Sequence, residues 1–124
     1  MRKNPVLVDT DVVIDYLNHR LYRSYFDSER WQVYYSVVTK KELLAKRGLS
    51  DRERQAIQRF LKRYRQVSLT QTIIDRFSDL RRMYPSLEHE DALIAASALA
   101  RRMPLLTGNR RHFSVVAGLR LLAS

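Results

Sequence analysis

Residues 5–8, Pro-Val-Leu-Val, form a continuous apolar run that stops at Asp9-Thr10-Asp11. A run without polar alternation predicts a strand covered on both faces. Residues 31–37 and 104–107 repeat this character, 67–69 make a brief extended segment, and 119–122 suit a final edge strand. The stretches between them have helical spacing. Residues 12–17 read as a helix capped by Thr10 or Asp11, and Tyr22, Tyr25 and Phe26 mark a short aromatic helix within 20–30. Thr39-Lys40-Lys41-Glu42 matches a capping box ahead of Leu43-Leu44-Ala45, with Gly48 to close that helix. Ser50 caps an amphipathic helix whose apolar face is Ala56, Ile57, Phe60, Leu61 and Tyr64. Helical spacing returns over 70–84 through Ile73, Ile74, Phe77 and Leu80 and stops at Pro85. Ser86 is the expected cap of the next helix, 87–102, and 109–116 is a short helix or turn.

Strands that alternate with helices predict an α/β fold: three α/β/α layers around a central, mostly parallel sheet. The whole chain, 1–124, is expected to form one domain, since no repeat, linker or low-complexity tract interrupts it. In open parallel sheets ligands bind beyond the carboxyl ends of the strands, where strand order reverses. Asp9, Thr107 and Asn109 all follow predicted strand ends, so they are expected to converge.

Composition narrows the chemistry. The chain has no cysteine, which excludes disulfides, thiolate metal sites and cysteine nucleophiles. Its three glycines make no phosphate-binding loop, and no nucleophile elbow surrounds any serine. The apolar segment after Arg2 and Lys3 is broken by Asp9, Asp11 and Asp15, which argues against a signal segment or membrane span and for a cytoplasmic protein. With 23 Lys+Arg against 13 Asp+Glu, a formal charge of +10, the partner should be acidic: nucleic acid, an anionic membrane surface or an acidic protein. Basic residues concentrate over 40–65 and again at Arg101, Arg102, Arg110 and Arg111.

Against that background the placement of a few acids carries information. Asp91 lies on one line with Ile94, Ala95, Ala98 and Leu99, at i+3, i+4, i+7 and i+8, and a lone carboxylate on an apolar stripe is costly unless paired or metal-bound. Asp9 ends the first strand, where a turn or cap role is open to it. Asp11 and Glu42 have ordinary capping roles open to them as well. Oxygen ligands from separated segments suit Mg²⁺ or Mn²⁺, which can neutralise a phosphate and activate water for phosphodiester hydrolysis. His19, His89 and His112 are scattered and read as solvent-facing or hydrogen-bonded.

Four segments in order carry a resemblance: Val8-Asp9-Thr10-Asp11-Val12-Val13-Ile14-Asp15, Ser36-Val37-Val38-Thr39-Lys40-Lys41-Glu42-Leu43, Glu90-Asp91-Ala92-Leu93-Ile94-Ala95-Ala96-Ser97-Ala98, and Leu106-Thr107-Gly108-Asn109-Arg110-Arg111-His112-Phe113. Together they resemble the PIN-domain ribonucleases, most closely the VapC toxins of toxin-antitoxin pairs. The resemblance implies a metal-dependent endoribonuclease, dimeric and silenced by a small antitoxin, with RNA as substrate and no membrane partner. It implies Asp9, Glu42 and Asp91 as ligands of Mg²⁺ or Mn²⁺ with Asp11 beside them, and Asn109 as the fourth catalytic position. Thr107 would help position that set. Here the fourth position is an amide, which adds no charge. Gly108 stands where similar toxins often carry arginine, leaving Arg110 and Arg111, with Lys40 and Lys41, to bind substrate phosphate. A PIN fold retained as a non-catalytic nucleic-acid platform is the alternative reading.

Overall fold

The computed structural model describes residues 2–122. Five strands and seven helices follow one another among them: β1 (Asn4–Val8), α1 (Thr10–His19), α2 (Arg23–Phe26), β2 (Trp31–Ser36), α3 (Val37–Leu44), α4 (Asp51–Leu61), β3 (Arg65–Val67), α5 (Gln71–Met83), α6 (His89–Arg101), β4 (Leu105–Leu106), α7 (Arg110–Phe113) and β5 (Leu121–Leu122). The sheet order is β3-β2-β1-β4-β5, and every pairing is parallel. The first three strands run outward from β1 to one edge, and the chain then crosses back to build the other half. The order therefore reverses between β1 and β4, beside β1's carboxyl end.

Neighbouring residues of the central strands serve opposite cores. Leu7 and Leu105 pack into a cluster with Ile73, Leu80, Ile94, Ala95 and Phe113 from α5, α6 and α7. Val6, Val8, Val33 and Leu106 face the other way, toward Val12, Tyr16, Phe26, Phe60 and Leu61. Both faces of the sheet are thus covered, which is why β1 is apolar at Val6, Leu7 and Val8 in succession. An α/β/α sandwich results, with the sheet fully rather than mostly parallel.

Several boundaries differ from the pattern reading, for local reasons. Asp9, not Thr10 or Asp11, is the N-cap of α1, its side chain accepting from the Thr10 amide. Helix α3 begins at Val37 under a Ser36 cap, so Thr39 lies inside the helix and the Thr39/Glu42 capping box does not form. That helix ends at Leu44, and Gly48 occupies the following turn at φ +77. Helix α6 starts at His89 behind Glu88, so Ser86 does not cap it. The Ser50 box is real: Ser50 accepts from the Glu53 amide and Glu53 from the Ser50 amide, at 3.0 and 3.1 Å. Among the described residues no helix is long and apolar enough to cross a membrane.

Candidate metal centre

The carboxyl end of β1 supplies the centre's fixed point. Asp9 is buried at 5% exposure, and both its carboxylate oxygens are engaged: Oδ1 accepts from the Thr10 amide at 2.8 Å and Oδ2 from the Thr107 hydroxyl at 2.8 Å. Thr107 is equally buried and also accepts from the Asn109 amide at 2.9 Å. This threonine thus pins the end of β4 to the end of β1 and holds the turn leading to α7. Its hydroxyl donates to Asp9 and accepts from the backbone, so it ties the acid to the turn.

Asp11 completes the join between the two strand ends. Its Oδ2 accepts from the Gly108 amide at 3.0 Å, while its Oδ1 is buried with no hydrogen-bond partner. A Cβ added at Gly108 would lie 2.6 Å from that Oδ2. Glycine is therefore what lets the carboxylate reach the backbone. Burial, then the charge of Asp9, raises the Asp11 pKa to about 6 despite the Gly108 amide.

Glu42 enters from α3. Thr10 Oγ1 lies 2.8 Å from Thr39 Oγ1 and donates to Glu42 Oε1 at 3.4 Å, so Thr39 acts as the donor to Thr10 and the hydroxyl pair leads to the glutamate. Partial burial raises the Glu42 pKa, and Glu90, Asp9 and Asp91 add to it against the Thr10 hydrogen bond. Asp91, in the first turn of α6, is shifted upward by burial, then by Asp9 and Glu88, with His112 opposing. Its apolar stripe is real: Ile94, Ala95 and Ala98 are buried below it. The imidazole of His112 lies beside it, with Nδ1 3.7 Å from Asp91 Oδ2.

The residue types had pointed to these four acids, and the structure brings them into one electrostatic neighbourhood. Asn109 stands just before α7, next to Thr107, and its side chain makes no capping bond. Arg110 donates to the Leu122 carbonyl at 2.7 Å and so ties α7 to β5. Arg111 lines a cavity with Asp91 and His112. Lys40 and Lys41 line a different recess, with Val37, Leu44 and Gln66, that holds none of the acids. His89 stacks edge-on against Phe77 with ring centroids 4.9 Å apart.

Three participants escaped the residue patterns. Glu90, the neighbour of Asp91, is the strongest charge acting on Glu42. Thr10 and Thr39 form the hydroxyl bridge, a pairing across 29 positions that no local pattern announces. A cavity of about 470 Å³ lined by Ile14, Leu17, Leu43 and Ile57 also adjoins Thr10 and Glu42.

The donor set is oxygen only, which suits a hard divalent cation. Among the described residues the salt bridges are Asp79 with Arg82 and the His112–Asp91 contact, so no lysine or arginine pairs with Asp9, Asp11, Glu42 or Asp91. Leaving half-buried acids unpaired in a chain of charge +10 is costly. As they stand, no three His, Asp or Glu side chains among the described residues are grouped to hold an ion by themselves. Mg²⁺ keeps several waters, which can span the gaps between separated carboxylates. An orphaned oxygen on Asp11, a glycine cradle and unneutralised charge therefore fit a hydrated divalent ion.

Comparison with known proteins places this geometry in context. A family model described as PIN domain matches residues 6–119. The chain is 29% identical over 116 residues to Ribonuclease VapC1 of Methanocaldococcus jannaschii, spanning 90% of this chain and 80% of that protein. A chain from a toxin-antitoxin complex of Klebsiella pneumoniae superposes with a TM-score of 0.76 at 28% identity, over 92% of this chain and 94% of that one. A chain from DNA-bound VapBC of Salmonella typhimurium gives a TM-score of 0.83 at 20% identity, over 96% and 97%.

Proposed function

Since the chain belongs to the PIN-domain family, we propose that it is a metal-dependent endoribonuclease, the toxin of a toxin-antitoxin pair, which hydrolyses RNA phosphodiester bonds. Similarity to Ribonuclease VapC1 and to the solved toxin-antitoxin complexes supports this reading. The observation that carries it is that Asp9, Asp11, Glu42 and Asp91 share one electrostatic neighbourhood without a lysine or arginine paired to any of them, within a strongly basic chain. The partners are RNA, a small antitoxin protein and a second copy of the chain.

Asp9, Glu42 and Asp91 would hold Mg²⁺ or Mn²⁺, with Asp11 and Asn109 contributing through water. Once bound, the ion would neutralise charge on the scissile phosphate and acidify the attacking water. The chain's own residues do the rest. Thr107 and the Thr10 amide fix both oxygens of Asp9, so the acid keeps one orientation. Thr39 and Thr10 relay that order to Glu42, and the Gly108 amide holds Asp11 beside it. Exposed arginines and lysines hold the flanking RNA backbone electrostatically.

Asp9→Asn and Asp91→Asn test the assignment. Loss of a residue that merely supports a metal ligand costs about 10–100-fold, so either substitution is expected to reduce Mn²⁺-dependent cleavage of labelled RNA by more than about a hundredfold, with the fold retained by circular dichroism. EDTA should abolish cleavage by the wild type. Full activity in either variant removes that acid from the site.

A further inference from the structure

Beside Asp91 the surface opens into a cavity of about 280 Å³ whose lining includes Leu87, Glu88, Asp91, Arg111, His112 and Val115. Nothing in the metal chemistry uses it, yet it shares Asp91 with the candidate centre. Its charge is arranged in order. Arg111 and His112 carry its basic groups, while Glu88 is an exposed acid whose charge acts on Asp91. Val115, an unusually exposed apolar side chain at 55%, and Leu87 supply an apolar wall. The wall is held in place: Phe113 and Val116 are buried on either side of Val115, and the Ala117 amide donates to the Tyr84 hydroxyl at 3.0 Å.

An RNA chain passing the acid cluster must place a phosphate and a base on each side of the scissile bond. In this cavity an anion is favoured only near Arg111 and His112, whereas a neutral ring can lie against Leu87 and Val115 beside Glu88. The volume is near the lower limit of ligand pockets, roughly 300–1,000 Å³, which suits a single base. An ionised carboxylate only accepts hydrogen bonds. Glu88 can therefore take a bond from the exocyclic amine of adenine, cytosine or guanine, while uracil's one donor on that edge, its N3–H, lies between two carbonyl oxygens that repel the carboxylate.

We propose that this cavity is a nucleotide subsite of the ribonuclease, in which Arg111 anchors the phosphate adjacent to the scissile one and Glu88 selects a base bearing an amine over uracil. It rests on the ribonuclease reading above. The test is Mn²⁺-dependent cleavage of a randomised oligoribonucleotide pool, with sequencing of the new ends and salt titration of kcat/KM, for wild type, Glu88→Gln, Arg111→Ala and the remote control Arg76→Ala. Wild type should show depletion of uridine at one fixed position beside the cut. Glu88→Gln, whose amide can also donate, should remove that depletion and leave the salt slope in place. Arg111→Ala should keep the base profile, lower kcat/KM by about tenfold through KM, and flatten the log–log salt slope by about 0.7, the share of one single-strand phosphate. A base profile unchanged by Glu88→Gln, or an Arg111→Ala effect no larger than that of Arg76→Ala, overturns the subsite while wild-type cleavage leaves the ribonuclease reading intact. Failure of the wild type to cleave any RNA in Mn²⁺ overturns both.

Discussion

Asp11 shows most clearly how a site residue costs the folded protein stability. Its pKa is about 6 in the folded state against an ordinary value of 3.8. Between those values the folded state binds more protons than the unfolded chain, so stability falls as pH rises through that window. The penalty is complete above about pH 6 and absent below about pH 4. In EDTA, Asp11→Asn should therefore melt a few degrees above wild type at pH 7.5, and the gap should close by pH 4. A gap independent of pH would mean that the carboxylate is not strained as its environment implies. Gly108 belongs to the same contact. Because a Cβ there would crowd Asp11 Oδ2 at 2.6 Å, Gly108→Ala should weaken Mn²⁺ binding by about tenfold, within the range for residues that orient ligands. Isothermal titration calorimetry reads this directly, and an unaltered affinity would show that Asp11 does not need its amide partner.

Helices α3 and α4 separate what local pattern reveals from what it cannot. Both carry a hydroxyl residue followed three positions later by glutamate, Thr39 with Glu42 and Ser50 with Glu53. Only the second is a capping box, because β2 runs straight into α3 and Ser36 already takes the cap, accepting from the Val38 amide at 3.1 Å. Glu42 is thereby left free to face Thr10, a pairing created by strand order and invisible over a short window. Element types were legible throughout, since continuous apolar runs and 3.6-residue spacing reflect burial directly. Asp91 was legible because its stripe is local, and Thr10, Thr39 and Glu90 were not because their partners are remote in sequence. The two helices accordingly respond differently to mutation. Ser50→Ala should cost about 1 kcal/mol of stability in denaturant unfolding and leave kcat/KM unchanged. Thr39→Val keeps the cap but removes the donor to Thr10, so kcat/KM should fall by about tenfold, as for other residues that orient ligands. Equal activity in the two variants would deny Thr39 its supporting role.

At the scale of the molecule, a single topological fact creates the charge layout. Reversal of strand order between β1 and β4 gathers Asp9, Asp11 and the Thr107 turn at one end of the sheet, and α3 and α6 bring Glu42 and Asp91 to the same place. The remaining surface is left to a large excess of Lys and Arg, including Arg52 and Arg59 on the exposed face of α4. On the proposed reading, RNA would meet a broad basic surface with one acidic spot, which a divalent cation would neutralise before a phosphate could occupy it. In EDTA, which on the proposed reading blocks cleavage, binding should still occur through the basic surface. The logarithm of the affinity should then fall linearly with the logarithm of KCl concentration, with a slope between about −2 and −4 for some three to six single-strand phosphates at about 0.7 each. Double charge reversal on α4, Arg52→Glu with Arg59→Glu, should flatten that slope by at least one phosphate's share without lowering the melting temperature, because both side chains are exposed. Fluorescence anisotropy with a labelled single strand measures both quantities. A slope near zero would mean that the excess positive charge serves something other than nucleic acid, and a slope unaffected by the reversal would move the RNA path off α4.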